Sequence, residues 1–475
     1  MNRLIALRLY LLVFGLVVFS YEGVFCGQVQ NTEGIVVLKV PGSVSSGKKK
    51  ALNVNFRKEP YLIFTAQADE VQVLWQLKTT ENCKVQWGTD LTYSLGNDIT
   101  TEYGNFHQHK YTFIGLEAET VYYYRVIASP DTVSGKFVSA PAATKTQLTF
   151  FAYGDTRTHP SHHDDVAAQI LAEIENDAEA LTFIVSSGDF VSDGNKESDW
   201  DSQFFDEQYS NIRKMMQKLP YLGSMGNHEG NGLLFAKYFP YPFYSGSDYY
   251  WSFDYGPAHF AVVDQFTDYT PGSDQYSWLE NDLAGTQKQW KFILLHKPGW
   301  SAGGGHSNNS DVQDYIQPLC VQYGVQMVIG GHNHYYSCAV VDDVVHVTAG
   351  GGGAPLYNPD ASSPNIIKVS KTYNFCKITL DENDLQLLAI SDNGDVIHQF
   401  SYNDLVSSVD GKTLDGIEGL LVFPNPFKDT ASLEFELKNS GIYKISVYDA
   451  SGKFIKLIRD ARMEAGKHKI TWDGT

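Results

Sequence analysis

The chain has 475 residues, of which 43% are hydrophobic and 19% are charged, and its formal net charge is −19. This length exceeds that of one ordinary domain, and the composition excludes an intrinsically disordered protein. The negative charge argues against a nucleic-acid-binding surface or a surface for anionic membranes, because both are rich in Lys and Arg.

The first 27 residues have the pattern of a secretory signal peptide. Arg3 and Arg8 precede an apolar segment at 9–19, and short residues follow at Cys26-Gly27. A membrane anchor needs about 20 apolar residues. We therefore predict a chain that is exported through the periplasm, has no membrane span once mature, and is secreted or held at the cell surface. Lipidation at Cys26 stays open.

Residues 28–52 are predicted to be a leader or linker, and residues 53–146 a small β-sandwich. Val71, Val73, Trp75 and Leu77 share one face of a strand, and similar short strands follow with turn residues between them. The segment 115–126 resembles a strand corner of fibronectin type III domains, so we predict a fibronectin III-like fold here.

From residue 147 to 402, apolar strands alternate with helical patterns, which predicts an α/β domain. Residues 249–264 and 374–401 have instead the alternation of antiparallel strands. The helical patterns consist of Val166, Ile170, Leu171 and Ile174, then of Phe204, Tyr209, Ile212 and Met216, then of Trp278, Leu279 and Leu283.

Five apolar runs in this domain end in residues that could bind a metal. Ligand crevices of open α/β sheets lie at the carboxyl ends of the strands, so these residues are expected to meet there. A mixed set of oxygen and imidazole ligands suits iron, zinc or manganese better than calcium. The five segments are Gly154-Asp155, Gly188-Asp189, Gly226-Asn227-His228-Glu229, Leu294-Leu295-His296 and Gly331-His332-Asn333-His334.

Together, these five segments resemble those of the calcineurin-like metallophosphoesterase superfamily. With the β-domain in front, residues 55–400 are similar to the purple acid phosphatase branch. The resemblance implies two β-sheets flanked by helices, a dinuclear metal centre, and hydrolysis of phosphomonoesters by a metal-bound hydroxide. A phosphodiesterase or nucleotide hydrolase using the same site is the alternative, and a non-catalytic surface binding protein is a further one.

The resemblance also implies a role for each site residue. Asp155, Asp189 and His334 would hold the first of two metal ions, and Asn227, His296 and His332 the second, with Asp189 bridging them. His228 would face the phosphate ester and protonate its leaving group. Glu229 would orient a histidine from behind.

Other positions depart from the family pattern or extend it. Ser192 stands where purple acid phosphatases have an iron-binding tyrosine, so the choice among Fe, Zn and Mn stays open and no purple colour is expected. Arg157 is predicted to clamp the substrate phosphate, with a surface salt bridge as the alternative. His306, in a glycine-rich loop, would be a second substrate-facing histidine, whereas His162 and His163 are predicted to face solvent.

The C-terminal region is predicted to be a linker at 403–416 followed by a small Ig-like β-domain at 417–475. This domain resembles the C-terminal tail of type IX secretion, which makes the export machinery a predicted partner; an ordinary Ig-like addition is the alternative. The pattern usually continues beyond Trp472-Asp473-Gly474, so a truncated tail stays open. Cys83, Cys320, Cys338 and Cys376 could form disulfides or remain buried thiols.

Overall fold

The computed structural model describes residues 55–244, 248–403, 417–423, 431–448 and 454–472. The predicted signal peptide, the predicted leader and nearly all of the predicted linker at 403–416 lie outside these residues. Within them, no helix combines the length and the apolar character that a membrane span requires.

The N-terminal region consists of two antiparallel sheets, with strand orders β1-β2-β5 and β4-β3-β6-β7. Alternate side chains, including Trp75, Phe113 and Tyr124, point into a shared apolar core. The predicted β-rich region is confirmed. Its strands are β1 (Phe56–Phe64), β2 (Glu70–Leu77), β3 (Cys83–Gly88), β4 (Gly96–Thr100), β5 (Gln108–Ile114), β6 (Val121–Ala128) and β7 (Asp131–Val138).

The central region contains two mixed sheets. The first has the order β10-β9-β8-β18-β19-β20, and β8, β9 and β10 run parallel to one another. Its strands are β8 (Leu148–Tyr153), β9 (Ile184–Ser186), β10 (Tyr221–Gly223), β18 (Asn374–Leu380), β19 (Leu385–Ser391) and β20 (Val396–Ser401).

The second sheet has the order β11-β12-β13-β14-β16-β15-β17, with β12, β13, β14 and β16 parallel. Its strands are β11 (Trp251–Tyr255), β12 (Ala258–Val262), β13 (Trp290–Leu294), β14 (Met327–Gly330), β15 (Tyr336–Val341), β16 (Val344–Ala349) and β17 (Ile366–Ser370).

An aromatic core joins the two sheets. The Phe150 ring lies 5.1 Å from that of Phe260 and 5.2 Å from that of Phe292, both edge-to-face, and all three are fully buried. Such pairs add about 0.5–1.5 kcal/mol each to the burial of their area. This core packs the two sheets against each other and so positions β8 relative to β13.

Helices connect or follow the parallel strands, as the alternating pattern predicts. They are α1 (Pro160–Asn176), α2 (Glu197–Asp199), α3 (Ser210–Met216), α4 (Leu233–Tyr238), α5 (Asp274–Gly285) and α6 (Gln317–Tyr323). The second predicted helix is not one continuous helix. Its residues are divided between a π-helical turn at Trp200–Phe204 and α3. Asp164 accepts the backbone N–H groups of Asn211 and Ile212, so it starts α3 as a separate helix.

The four cysteines that the sequence analysis left open are all buried free thiols. In the C-terminal region the described strands form a β21-β22-β25 sheet and a β23-β24 pair. They are β21 (Ile417–Phe423), β22 (Ala431–Leu437), β23 (Gly441–Tyr448), β24 (Phe454–Met463) and β25 (Gly466–Trp472).

Candidate metal centre

The five polar segments meet where the carboxyl ends of the two central sheets come together. Asp155, Asp189 and Asn227 follow β8, β9 and β10 of the first sheet, and His296 and His332 follow β13 and β14 of the second. Because each strand ends at the same edge of its sheet, residues far apart in sequence become neighbours.

One group of donors consists of Asp155, Asp189 and His334, with Arg157 beside it. Asp155 Oδ1 lies 3.5 Å from His334 Nε2 and is a buried atom without a hydrogen-bond partner. Its other oxygen, Oδ2, accepts the backbone N–H of His332 at 2.9 Å. One oxygen is therefore used to fix the loop, and the other is left facing the imidazole.

A second group surrounds the Nε2 atom of His296. Asn227 Oδ1 lies 2.9 Å from this nitrogen, His332 Nδ1 lies 3.1 Å from it, and Asp189 Oδ1 lies 3.4 Å from it. Asp189, His296 and Asp155 also place one ligating atom each within 4.8 Å of one another. The carboxylate of Asp189 thus lies between the two groups.

The hydrogen bonds of the imidazoles fit a cation. His296 Nδ1 lies 2.7 Å from the carbonyl of Ser187, and His334 Nδ1 lies 2.8 Å from that of Pro355, so both Nδ1 atoms donate. In the neutral tautomer, each Nε2 lone pair then faces carboxylate oxygens. Two acceptors aimed at each other need a positive charge between them, so these residues fit a metal pair.

The electrostatic environment keeps the histidines neutral. Burial, with the neighbouring His296 and His306 acting in the same direction, lowers the pKa of His332 to about 2. Burial likewise lowers the pKa of His334 to about 4. For Asp155, burial and then the adjacent Asp189 raise the pKa. A bound cation would reverse that rise, because it favours the charged carboxylate.

The backbone at three of these positions is strained. Asp155, Asp189 and His332 have φ values of 56°, 57° and 66°, a left-handed conformation that costs residues other than Gly about 1–3 kcal/mol. Gly331 is needed at its position because a Cβ there would lie 2.3 Å from Asp155 Oδ2. Strain of this kind persists only where the surrounding structure imposes it, as it does at binding sites.

His228 lies at the open side of this centre. Its Nδ1 is 2.6 Å from the carbonyl of Ser192, and its Nε2 is 3.7 Å from Asp189 Oδ2. The backbone N–H of His228 donates to Asp189 Oδ1, which fixes the ring position. The hydroxyl of Ser192 lies within hydrogen-bond distance of Gln203 and Thr158.

Arg157 reaches the centre from the side of His334. Its Nε lies 3.5 Å from Asp189 Oδ2, and one terminal nitrogen lies 3.3 Å from His334 Nε2. The side chain is only 14% exposed, and its Nε has no hydrogen-bond partner. A surface salt bridge was the alternative prediction for Arg157. Arg157 does approach a carboxylate, that of Asp189, but this contact lies inside the centre rather than on the outer surface.

His306 is exposed and stacks on His332, with ring centroids 3.9 Å apart. Asn333, which the sequence analysis left without a role, holds this loop in place. Its buried side chain accepts the backbone N–H of His306 and donates to the His306 carbonyl and to Ser301 Oγ. Its position in the sequence between the candidate ligands His332 and His334 could have indicated that it belongs to the centre.

Tyr357 was also missed. Its ring stacks on His334 with centroids 4.2 Å apart, and its hydroxyl lies 3.4 Å from His306 Nε2. No motif surrounds it in the sequence, and only the fold brings it to the centre.

Two predictions near the centre are wrong. Glu229 orients no histidine; its carboxylate accepts the backbone N–H groups of Asp189, Phe190 and Gly226 and so joins two loops. His163 does not face solvent, because it lies on the same face of α1 as Val166 and Ala167. It is fully buried, and its Nε2 lies 2.9 Å from the hydroxyl of Tyr153.

Comparison with known proteins agrees with this arrangement. Residues 148–336 match the family model of calcineurin-like phosphoesterases, and residues 421–473 match that of a secretion system C-terminal sorting domain. Both resemblances inferred from the sequence are confirmed.

The chain is 27% identical over 312 residues to purple acid phosphatase 18 of Arabidopsis thaliana, covering 57% of this chain and 65% of that protein. It is 25% identical over 319 residues to a purple acid phosphatase of Glycine max, covering 59% and 66%. The chain thus spans just under two thirds of the length of each of these two relatives.

Among solved structures, purple acid phosphatase PPD1 from yellow lupin seeds superposes with a TM-score of 0.58 and 20% identity, covering 75% of this chain and 77% of that one. The structure titled PhoD superposes with a TM-score of 0.55 and 13% identity, covering 72% and 92%. These likenesses establish the fold alone.

Proposed function

We propose that the chain, whose residues 148–336 match the family model of calcineurin-like phosphoesterases, is a secreted dinuclear-metal phosphatase that hydrolyses phosphomonoesters. The observation that carries the proposal is the pair of adjoining donor groups around Asp189. Asp155 and His334 lie on one side of its carboxylate, and Asn227, His296 and His332 lie on the other.

We assign Asp155, Asp189 and His334 to one metal ion and Asn227, His296, His332 and Asp189 to the other. Such a pair, when bound, polarises the phosphoryl oxygens and lowers the pKa of a coordinated water toward about 7. Oxygen and imidazole ligands suit Fe, Zn or Mn. Position 192 is a serine, and its hydroxyl donates a hydrogen bond to Gln203 Oε1. We therefore expect no tyrosinate ligand that would select ferric iron.

The roles of the surrounding residues follow from their positions. His228, with Nδ1 held by the Ser192 carbonyl, presents Nε2 to the open side. As an imidazolium, with a hydrogen on both nitrogens, it would give the Nε2 proton to the leaving oxygen. Arg157 would bind two oxygens of the phosphate through its planar fork. His306, exposed and stacked on His332, would donate to the phosphoryl group as a second polar contact.

The arrangement also supports proposals for the flanking regions. The paired antiparallel sheets at residues 56–138 suit a fibronectin III-like sandwich, and the described C-terminal strands suit an Ig-like domain. The match to a sorting domain supports export and location outside the cell or on its surface.

Metal analysis combined with kinetics tests the proposed function. We expect the purified chain to hold two transition-metal ions, to hydrolyse p-nitrophenyl phosphate faster than its bis-ester, and to lose activity in chelator. Asn227→Ala should abolish turnover with an unchanged circular dichroism spectrum, whereas Asn281→Ala, on the exposed face of α5, should not. Full turnover by the chelated protein, or by Asn227→Ala, would refute the proposal.

A further inference from the structure

In the part of the chain that the structure describes, one lysine beside the candidate metal centre has no acidic partner. Lys297 directly follows His296, and among the described residues no carboxylate oxygen lies within 4 Å of its Nζ. The chain has 55 acidic and 36 basic residues. A lysine left unpaired amid this acidic excess is available for an anion from outside the chain.

The ammonium group lies instead over an exposed aromatic ring. Lys297 Nζ is 5.2 Å from the centroid of Phe266, and Phe266 is 41% exposed. The Phe266 ring centroid is 6.5 Å from that of His296, so this pair borders the second group of metal donors. A cation over an exposed ring gains only about 0.5–1 kcal/mol, so the contact does not satisfy the charge.

The backbone that carries both residues is held firmly by Gln265. Its Oε1 accepts the backbone N–H groups of His296 and Lys297, and its Nε2 donates to the Lys297 carbonyl. The N–H of Phe266 donates to Asp264 Oδ1 at 2.9 Å. Lys297 and Phe266 are therefore presented on a fixed edge, which reduces the entropy lost when a ligand binds.

Arg157 and Lys297 approach the centre from different sides. Arg157 lies next to His334, and Lys297 is adjacent to His296. The two cations therefore border different donor groups, and a phosphate bound at the centre needs only one of them as its clamp.

We propose that Lys297 and Phe266 form a leaving-group subsite that favours phosphoesters carrying a second negative charge. The scissile phosphate would bind at the metal centre near Arg157, while a carboxylate or phosphate on the leaving group reaches Lys297. In the reaction, water adds to phosphorus, the P–O bond to the leaving group breaks, and the leaving oxygen takes the electron pair and a proton. This inference rests on the proposed function and assigns its substrate class.

A matched pair of substrates tests the subsite. 2-Phosphoglycerate and glycerol 2-phosphate share their scissile bond and differ by a carboxylate in place of a hydroxymethyl group. We expect the wild type to favour 2-phosphoglycerate in kcat/KM by about tenfold, the worth of one charge-assisted hydrogen bond. Lys297→Gln should remove this preference mainly through KM, Lys297→Arg should keep it, and Phe266→Leu should weaken it.

Further measurements separate the outcomes. The preference should decline as salt rises, because the subsite is partly exposed. Lys214→Gln, an exposed lysine on α3, is the control and should keep the wild-type ratio. The leaving group of pyrophosphate carries a phosphate, and that of 2-phosphoglycerate carries a carboxylate. Comparing the effect of Lys297→Gln on the two substrates shows which anion the subsite prefers. Equal ratios in wild type and Lys297→Gln would overturn the subsite, whereas failure of the wild type to hydrolyse either ester would overturn the phosphatase proposal itself.

Discussion

At the scale of single residues, the centre depends on which nitrogen of each imidazole is used. Backbone carbonyls of Ser187, Pro355 and Ser192 fix the Nδ1 atoms of His296, His334 and His228. Since all three Nδ1 atoms donate, all three Nε2 atoms point into the same region. Each of them lies 3.4–3.7 Å from a carboxylate oxygen, but the side chain of His228 is 29% exposed, whereas those of His296 and His334 are buried. His228 is therefore the one that a substrate could contact.

This difference leads to a prediction for His228. We expect His228→Ala to lower kcat by roughly 10²–10⁴-fold, because general acid catalysis has about this worth. Metal content should stay near that of the wild type, since no donor of the two groups is removed. Steady-state kinetics and metal analysis of the same preparation make the measurement.

His162→Ala provides the control for His228→Ala. His162 lies at the start of α1, half-exposed, and stacks on Tyr373 rather than on a residue of the centre. Its removal should leave kcat unchanged. A parallel loss of metal and rate in His228→Ala would show that this histidine holds a metal instead.

How far sequence could predict the site differs from residue to residue. The candidate ligands were recognisable because each directly follows an apolar strand, and strand ends meet at one edge. Asn333, Tyr357 and the true partners of Glu229 were not recognisable, because their contacts join loops that no local pattern relates. The burial of His163 was in fact readable from its spacing to Val166 in α1.

At the scale of elements, a histidine links β11, β12 and α5. His259 on β12 is 5% exposed, its Nδ1 lies 2.8 Å from Asp254 of β11, and its Nε2 lies 2.9 Å from Asp282 of α5. Burial alone would lower the pKa of His259, but the two carboxylates raise it to about 9. The folded chain thus binds a proton more tightly here than the unfolded chain, whose histidine has a pKa near 6.5.

The raised pKa of His259 fixes the sign of the pH dependence of stability. The stabilisation that protonated His259 gives to the folded chain is fully present below about pH 6.5 and is lost as the pH rises through about 9. Asp254 is half-exposed, so screening reduces the effect to about 1–2 kcal/mol. We expect the wild type to lose that much more unfolding free energy between pH 6.5 and 9.5 than His259→Gln, measured by urea denaturation.

His468→Gln serves as the control for this titration. The ring of His468, in β25, bonds to the backbone carbonyl of Glu464 in the turn before that strand, so its loss should leave the pH dependence like that of the wild type. If His259→Gln and the wild type lost equal free energy over this range, His259 would not be protonated in the fold.

At the scale of the whole molecule, the N-terminal sheets and the phosphoesterase domain share a buried ion cluster. Lys58 on β1 is fully buried, and its Nζ donates to Gln76 Oε1 at 2.7 Å, Asp201 Oδ1 at 2.5 Å and Glu197 Oε1 at 3.1 Å. Tyr61 Oη also donates to the Tyr238 carbonyl at 2.7 Å. The alternating pattern of β1 predicts a strand, but it cannot predict a charged residue on the buried side, because the neutralising carboxylates come from the next domain.

This cluster gives the prediction for the whole molecule. Burial lowers the pKa of Lys58, and the carboxylates of Asp201 and Glu197 oppose that effect. Removing the lysine leaves these carboxylates with Arg57, and Glu197 also with Lys237, as more exposed cations in place of the buried one. Loss of one partner of a buried ion pair costs about 3–5 kcal/mol. Because the two carboxylates are about 30% exposed, we expect the lower end of that range for Lys58→Met. Calorimetry should show a midpoint several degrees lower, with the N-terminal sheets unfolding before the phosphoesterase domain as the coupling weakens.

Lys110→Met, an exposed lysine of the same sheets, should leave the midpoint unchanged. A wild-type transition in Lys58→Met would mean that apolar packing alone holds the two regions together.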